Sequence, residues 1–315
     1  MTEESGVIER ETDPSRASGR ERTNRLRLAM LACFIVVLAW RWATAGVPNE
    51  RTPLFAWLLT GVAIAAIGRS ESRSMRLFWD WAPMIGLLAL YDISRGLADE
   101  TGMPLRMQSL VTIEEGLFGS PVPTVRWQDS MLVPDGPVHW WEAVVAVVYT
   151  SHFVASLSLM AILWFTHRQG FLDFRLRFSI VTALGLIGYF LVPSAPPWMA
   201  SQNGLIGPVR RLSLRGFQVF GGTGAEKAMT AGAKLSNPVA AMPSLHGAWA
   251  LLIALFLTRY LPRWSWPLLF CYPALMLFSL VISGEHYVID VLVGFACTGA
   301  AFALAGAAER KRSPS

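Results

Sequence analysis

Residues 284–290 read Gly-Glu-His-Tyr-Val-Ile-Asp, and residues 243–246 read Pro-Ser-Leu-His. Each stretch stands where a segment that cannot be helical meets a long apolar run. A helix starting in the first stretch puts His286 and Asp290 on one face, because residues four apart are neighbours there. A carboxylate beside an imidazole selects its tautomer, raises its basicity and stabilises its cation. His246, with Ser244 just before it, lies about forty residues upstream. Two histidines and one aspartate suffice for displacement at phosphorus. His286 is the candidate nucleophile and Asp290 its orienting partner. His246 is the candidate acid and base for the leaving group and the acceptor.

The runs around these motifs set the fold class. The chain has 315 residues, of which 53% are hydrophobic and 16% charged. A soluble domain of this size carries more charge, and the apolar runs are long enough to cross a bilayer. The reading is an all-α, polytopic membrane helix bundle of about eight spans. They fall near 27–46, 53–68, 78–96, 140–166, 178–194, 244–260, 265–282 and 287–307. Residues 1–26 are expected to be a disordered cytoplasmic tail. Residues 27–77 hold two accessory helices, 78–308 a six-span core and 309–315 a second tail. Residues 97–138 form a long loop in which Met107–Leu117 is a candidate interfacial helix. The N-terminus does not read as a secretory signal. Cys33, Cys271 and Cys297 all fall in apolar runs and are expected to be buried thiols.

The formal net charge is +5. Its arginines gather at the ends of apolar runs, which is a membrane pattern rather than a nucleic-acid one. With eight spans, both termini lie on one side. That side takes Arg10, Arg16, Arg20, Arg22, Arg25 and Arg27, the short loops with Arg69, Arg73, Arg76, Arg168, Arg175, Arg177, Arg259 and Arg263, and the basic C-terminal tail. The termini are therefore expected to be cytoplasmic. The histidine motifs and the proline segment 193–198 then share the outer face.

The two motifs also carry a resemblance. Pro-Ser-Leu-His at 243–246, followed by His-Tyr-x-x-Asp-Val-Leu-x-Gly at 286–294, resembles the type 2 phosphatidic-acid phosphatase superfamily. The branch it is most similar to holds the inositol phosphorylceramide synthase-like and sphingomyelin synthase-like lipid phosphotransferases. The resemblance covers roughly 140–305. It implies a lipid-phosphatase-type core in the six C-terminal spans, a phosphohistidine on His286, and no metal or other cofactor. It also implies a lipid phosphate substrate, with water or an alcohol as acceptor. The superfamily's arginine six residues before the second histidine is replaced by Leu280, and its Lys and Arg-Pro motif is absent. In place of that motif stands Tyr189-Phe-Leu-Val-Pro-Ser-Ala-Pro-Pro-Trp198, similar to the synthase-like Pro-Pro-Trp segment.

Several residues are candidates for substrate binding. Ser244 either binds phosphate or caps the helix that follows. Trp198 is a pocket wall or part of an interfacial belt. Tyr287 lines the pocket or anchors at the interface. Arg210 and Arg211, then Arg215 and Lys234, are the cations placed to replace the missing phosphate binders. Glu285 is unexpected beside a phosphate and calls for a cation, an acceptor hydroxyl or an outward orientation. His152 and Tyr149, in the fourth span, reach the pocket or are simply buried. His139 and His167 read as interface residues. The alternative to an enzyme is a transporter or scaffold, which predicts charges mid-membrane in several spans. Asp80 and Asp92 lie near the ends of theirs.

Overall fold

The computed structural model describes residues 14–45, 71–97, 104–133, 136–220 and 241–312, with scattered positions between 57 and 68. Contacts divide the chain into two compact units, Met1–Trp81 and Ala82–Ser315. In the first, α1 runs from Pro14 to Ala45. It starts inside the stretch expected to be disordered. Arg, Glu and Ala are good helix formers, and an apolar helix extends readily into them. Glu21–Arg41 within it is long and apolar enough to cross a membrane. Helix α2, Glu71–Leu97, straddles the boundary of the units. Half of the expected second span, 53–68, lies outside the described residues.

The second unit continues with α3 (Gln108–Phe118), α4 (Pro123–Met131), α5 (Trp140–Thr166), α6 (Arg168–Leu191), α7 (Pro197–Gln202), α8 (Leu245–Leu257), α9 (Trp266–Ile282) and α10 (Val288–Arg312). A 3₁₀ turn spans Arg215–Phe220. No strand occurs among the described residues. One isolated bridge joins Arg106 to Ser194. The described part of the expected long loop holds two short helices, and the first of them coincides with the candidate at Met107–Leu117. The expected basic loop before the fifth span is the first turns of α6. His167 ends one helix and starts the next, its Nδ1 accepting from the Gly170 amide at 2.8 Å.

Among the described residues, four helices can cross a membrane by length and composition: Glu21–Arg41, Arg168–Leu191, Arg263–Ile282 and Val288–Lys311. Helix α5 makes a fifth if its two halves, bent by 49° after His152, count as one span. Large apolar side chains on the helix exteriors, among them Phe165, Leu191, Leu268 and Leu304, are more than half exposed. That much outward apolar surface fits hydrocarbon rather than water. The cysteines follow suit: Cys33 and Cys271 are exposed and Cys297 half-buried. They are not the buried thiols expected, because in a bilayer an outward face is as apolar as the interior.

Helix α8 is apolar on every side and is packed by α5, α6, α9 and α10. At 13 residues it is about 20 Å long and falls short of a membrane span. Its N-terminal half lies close against α10. A methyl group on Gly294 would press into the Ser244 carbonyl, and one on Gly247 would lie 2.6 Å from Val291 Cγ1. The Thr298 hydroxyl donates to the Ala248 carbonyl at 2.8 Å. At the other end of the bundle, the fully buried Arg177 pairs with Asp173 and, at 3.1 Å, with Glu309. Arg259 joins them through Asp173 at 2.7 Å.

Gly294→Val is expected to overpack the α8–α10 contact at a cost of about 1–3 kcal/mol, and so to lower the melting temperature in detergent. Gly299→Ala on the same helix, with no atom within 4 Å of the added carbon, is expected to hold it or raise it slightly, because Ala favours a helix over Gly.

Candidate active site

The site is built on two helix starts. Pro243 ends the incoming segment, and Ser244, in an extended conformation, caps α8 with its hydroxyl facing the Gly247 amide at 3.4 Å. The Ser244 amide donates to the Asp290 carbonyl at 2.9 Å, which ties this cap to the first turn of α10. At the end of α9 the chain turns sharply. Gly284 takes φ +75°, and the amides of Glu285 and His286 both donate to the Leu280 carbonyl. A side chain at Gly284 would be strained there and would also meet Val209.

These turns bring the histidines together. The rings of His246 and His286 lie 5.7 Å apart, inclined by 59°. His286 Nδ1 is 3.5 Å from Asp290 Oδ2, at the outer limit of a hydrogen bond. Both residues are buried. Asp290 Oδ2 also accepts from the Tyr287 amide at 2.9 Å. On the other side, His246 stacks on His152 of α5, with ring centroids 3.8 Å apart, and on Tyr149 at 5.0 Å. His152 stacks in turn on Trp249 at 4.5 Å. His152 is therefore buried and at the site, so the two readings of it were not exclusive.

Glu285 has found a cation. It takes a bidentate pair of bonds from Arg211, Nε to Oε1 at 2.7 Å and a terminal nitrogen to Oε2 at 3.0 Å. The Ser213 hydroxyl donates to the same carboxylate at 2.6 Å. The Arg211 guanidinium lies 4.8 Å from the centre of the Trp198 ring. The Trp198 amide donates to the Gly284 carbonyl, so the proline segment is joined directly to the second motif. Ser194 joins it to the first: its hydroxyl accepts from the Met242 amide at 2.7 Å.

Other candidates lie elsewhere. Arg210 is exposed, and its backbone amide and carbonyl are both taken by Gln128. Arg215 pairs with the buried Glu142 at 3.1 Å. Lys234 lies outside the described residues. Tyr287 is fully buried in an apolar cluster with Leu110, Val111, Val122, Val125 and Ala200. Its ring fills core space, which places it neither at an interface nor on an open wall. Two residues were missed in the sequence. Gln128 bonds Arg210 and the Ile282 carbonyl at 2.7 Å. Glu114 accepts from the amides of Val288 at 2.8 Å and Ile289 at 3.2 Å. Glu114 stands in the candidate interfacial helix and Gln128 in the loop beyond it. The one available signal was an acid and an amide on the apolar-periodic faces of short helices.

A family model described as the PAP2 superfamily matches residues 135–304. The chain belongs to the PAP2 superfamily. It is similar to a phosphoinositol dihydroceramide synthase of Bacteroides thetaiotaomicron, 29% identical over 66% of this chain and 69% of the relative. It is also similar to an inositol phosphorylceramide synthase catalytic subunit of Schizosaccharomyces pombe, 26% identical over 76% of this chain and 56% of that protein. No solved structure gives a significant match. Both histidine motifs and the proline segment of this PAP2 chain lie inside the matched region.

The charges around the PAP2 site are set by burial. Burial pulls the Arg211 guanidinium down, but the bonds and charge of Glu285 outweigh it and hold the pKa above its ordinary value. Burial also raises the Tyr287 phenol, helped by the charges of Asp290 and Glu114. The Glu114 carboxyl is pushed up to about 7, chiefly by burial, against the pull of the Val288 and Ile289 amides.

A carboxyl raised in the folded state adds stability that is whole below its unfolded value, near 4.5, and is lost as pH rises through about 7. The melting temperature of the wild type is therefore expected to fall between pH 5 and pH 8 relative to that of Glu114→Gln, which cannot ionise. Scanning both proteins in detergent across that range checks the sign.

Proposed function

We propose that this PAP2 protein is an integral-membrane lipid phosphotransferase that works through a phosphohistidine on His286. The observation that carries the reading is the convergence of His246, His286 and Asp290 at two helix starts in a chain of this family. Asp290 lies on the Nδ1 side of His286, which leaves Nε2 for phosphorus. Nε2 attacks the phosphorus of a lipid phosphodiester. The bond to the leaving alkoxide breaks, and His246 gives that oxygen its proton. Neutral His246 then takes the proton of an acceptor hydroxyl, whose oxygen attacks phosphorus and releases His286. A water acceptor in the second step gives a phosphate monoester and makes the protein a hydrolase. Both relatives are named as synthases of inositol-phosphate-bearing ceramides, which favours an alcohol of the ceramide type and a phosphoinositol lipid donor.

Arg211 is the cation that serves the phosphate. The Glu285 carboxylate is neutralised by it, so the acid does not repel the substrate. Its guanidinium keeps a further edge of donors, and the side chain is 39% exposed. Ser244 caps α8 in this reading, and Trp198 carries Arg211. In this reading the site faces the outside of the cytoplasmic membrane and the termini the cytoplasm, which the gathering of Lys and Arg at the ends of apolar runs supports.

The test is turnover of purified protein in detergent on a panel of lipid phosphates and phosphodiesters, with and without ceramide or other alcohols. A new phosphodiester lipid that needs the alcohol is expected, and release of free phosphate or a phosphate monoester alone would make the protein a hydrolase. His286→Ala is expected to lower turnover roughly 10³-fold or more and to abolish acid-labile labelling of the protein. Turnover that survives both His286→Ala and His246→Ala in folded protein overturns the reading. Arg211→Lys cannot reproduce a bidentate, stacked contact. It is expected to cut kcat/KM roughly 10- to 100-fold, measured on the same donor.

A further inference from the structure

The amphipathic helix α3 turns Leu110, Val111 and Glu114 inward and leaves Ile113 and Leu117 exposed. Glu114 is fully buried. A buried carboxylate is costly unless each oxygen is bonded. Here each oxygen has its own amide: Oε1 takes Val288, and Oε2 takes Ile289. Asp290 Oδ2 takes the preceding amide, that of Tyr287. Three successive donors at the start of α10 are thus held by two carboxylates. His286 stands immediately before the first of these residues and Asp290 immediately after the last. The backbone between nucleophile and orienting acid is therefore gripped from outside the helix by a residue of a different element.

We propose that Glu114 is a positioning residue for the His286–Asp290 pair, fixing the first turn of α10 so that the imidazole and its carboxylate keep their register. This rests on the reading of His286 as nucleophile. The grip needs two acceptors side by side. A carboxylate supplies them, whereas an amide of the same shape turns one into an N–H facing another N–H. The same grip uses up amides that would otherwise draw a phosphate to this helix start, which leaves the substrate phosphate to Arg211. Asp290 and the Tyr287 phenol are the titratable groups that face Glu114.

Glu114→Gln is the variant to make, since it keeps the shape of the side chain. The proposal predicts kcat lower by on the order of 100-fold, with KM for the lipid donor changed less than about twofold. Rapid labelling of His286 should slow in proportion. A kcat per active site equal to that of wild type, counted by the labelling burst, overturns the proposal even if the yield of folded protein falls. A readout free of turnover is hydrogen–deuterium exchange. Over residues 286–292 the variant should exchange at least about tenfold faster, with residues 248–257 unchanged. Unaltered exchange over 286–292 overturns the proposal. If exchange responds but the wild type gives no His286-dependent turnover, Glu114 still positions this turn, and the reading of the enzyme is what fails.

Discussion

The bond from the Ser244 amide to the Asp290 carbonyl, 2.9 Å long, joins the starts of the two helices that carry the histidines. Neither motif makes a site alone. His246 rides on the second residue of α8, and His286 sits at the end of the turn that leads into α10. Their separation depends on how closely those two helix starts are held. Gly294 and Gly247 permit the approach, because each faces the neighbouring helix with no side chain in the way. The tilt of the rings then follows from the stack of Tyr149, His152 and Trp249 behind His246. A short helix, apolar except for His246 and with neighbours on four sides, is a stable base for such a site, since its start is held by packing rather than by its own propensity.

Charge is arranged around that base with economy. Each acid near the histidines has a specific partner: Asp290 the His286 ring and an amide, Glu285 the guanidinium of Arg211, Glu114 two amides. The loss of the superfamily's usual arginine at Leu280 is understandable in this light. Leu280 is fully buried in an apolar cluster with Ala250, Met276 and Val291, where a guanidinium would lack partners. In the proposed reading the positive charge enters instead from the loop at Arg211, which lies against the Trp198 ring. The proline segment, anchored at Ser194 and Gly284, holds that ring in place.

Much of this was legible in the sequence, and the reasons are physical. Long apolar runs broken by Gly, Pro and Arg announce helices and their ends, and His286 with Asp290 announces a shared face at the start of one. The proline segment could be placed because proline cannot continue a helix. The contacts that cross from one element to another were not legible. Glu114 lies 174 residues from the amide it holds, and no local pattern encodes such a distance. Glu285 looked out of place because its partner, Arg211, is 74 residues away. Tyr287 reads the same on a core face as on an interface. Only packing against Val122 and Val125 decides between them.

The buried arginine cluster has a consequence for the order of events. Arg177, Asp173, Arg259 and Glu309 bind the ends of α6, α8 and α10 that lie farthest along the chain from the histidines. That leaves the histidine end of the bundle as the end free of this tie. The proposed double displacement would use one and the same histidine pair for both alcohols in turn, the first leaving before the second attacks, which is the condition for ping-pong kinetics.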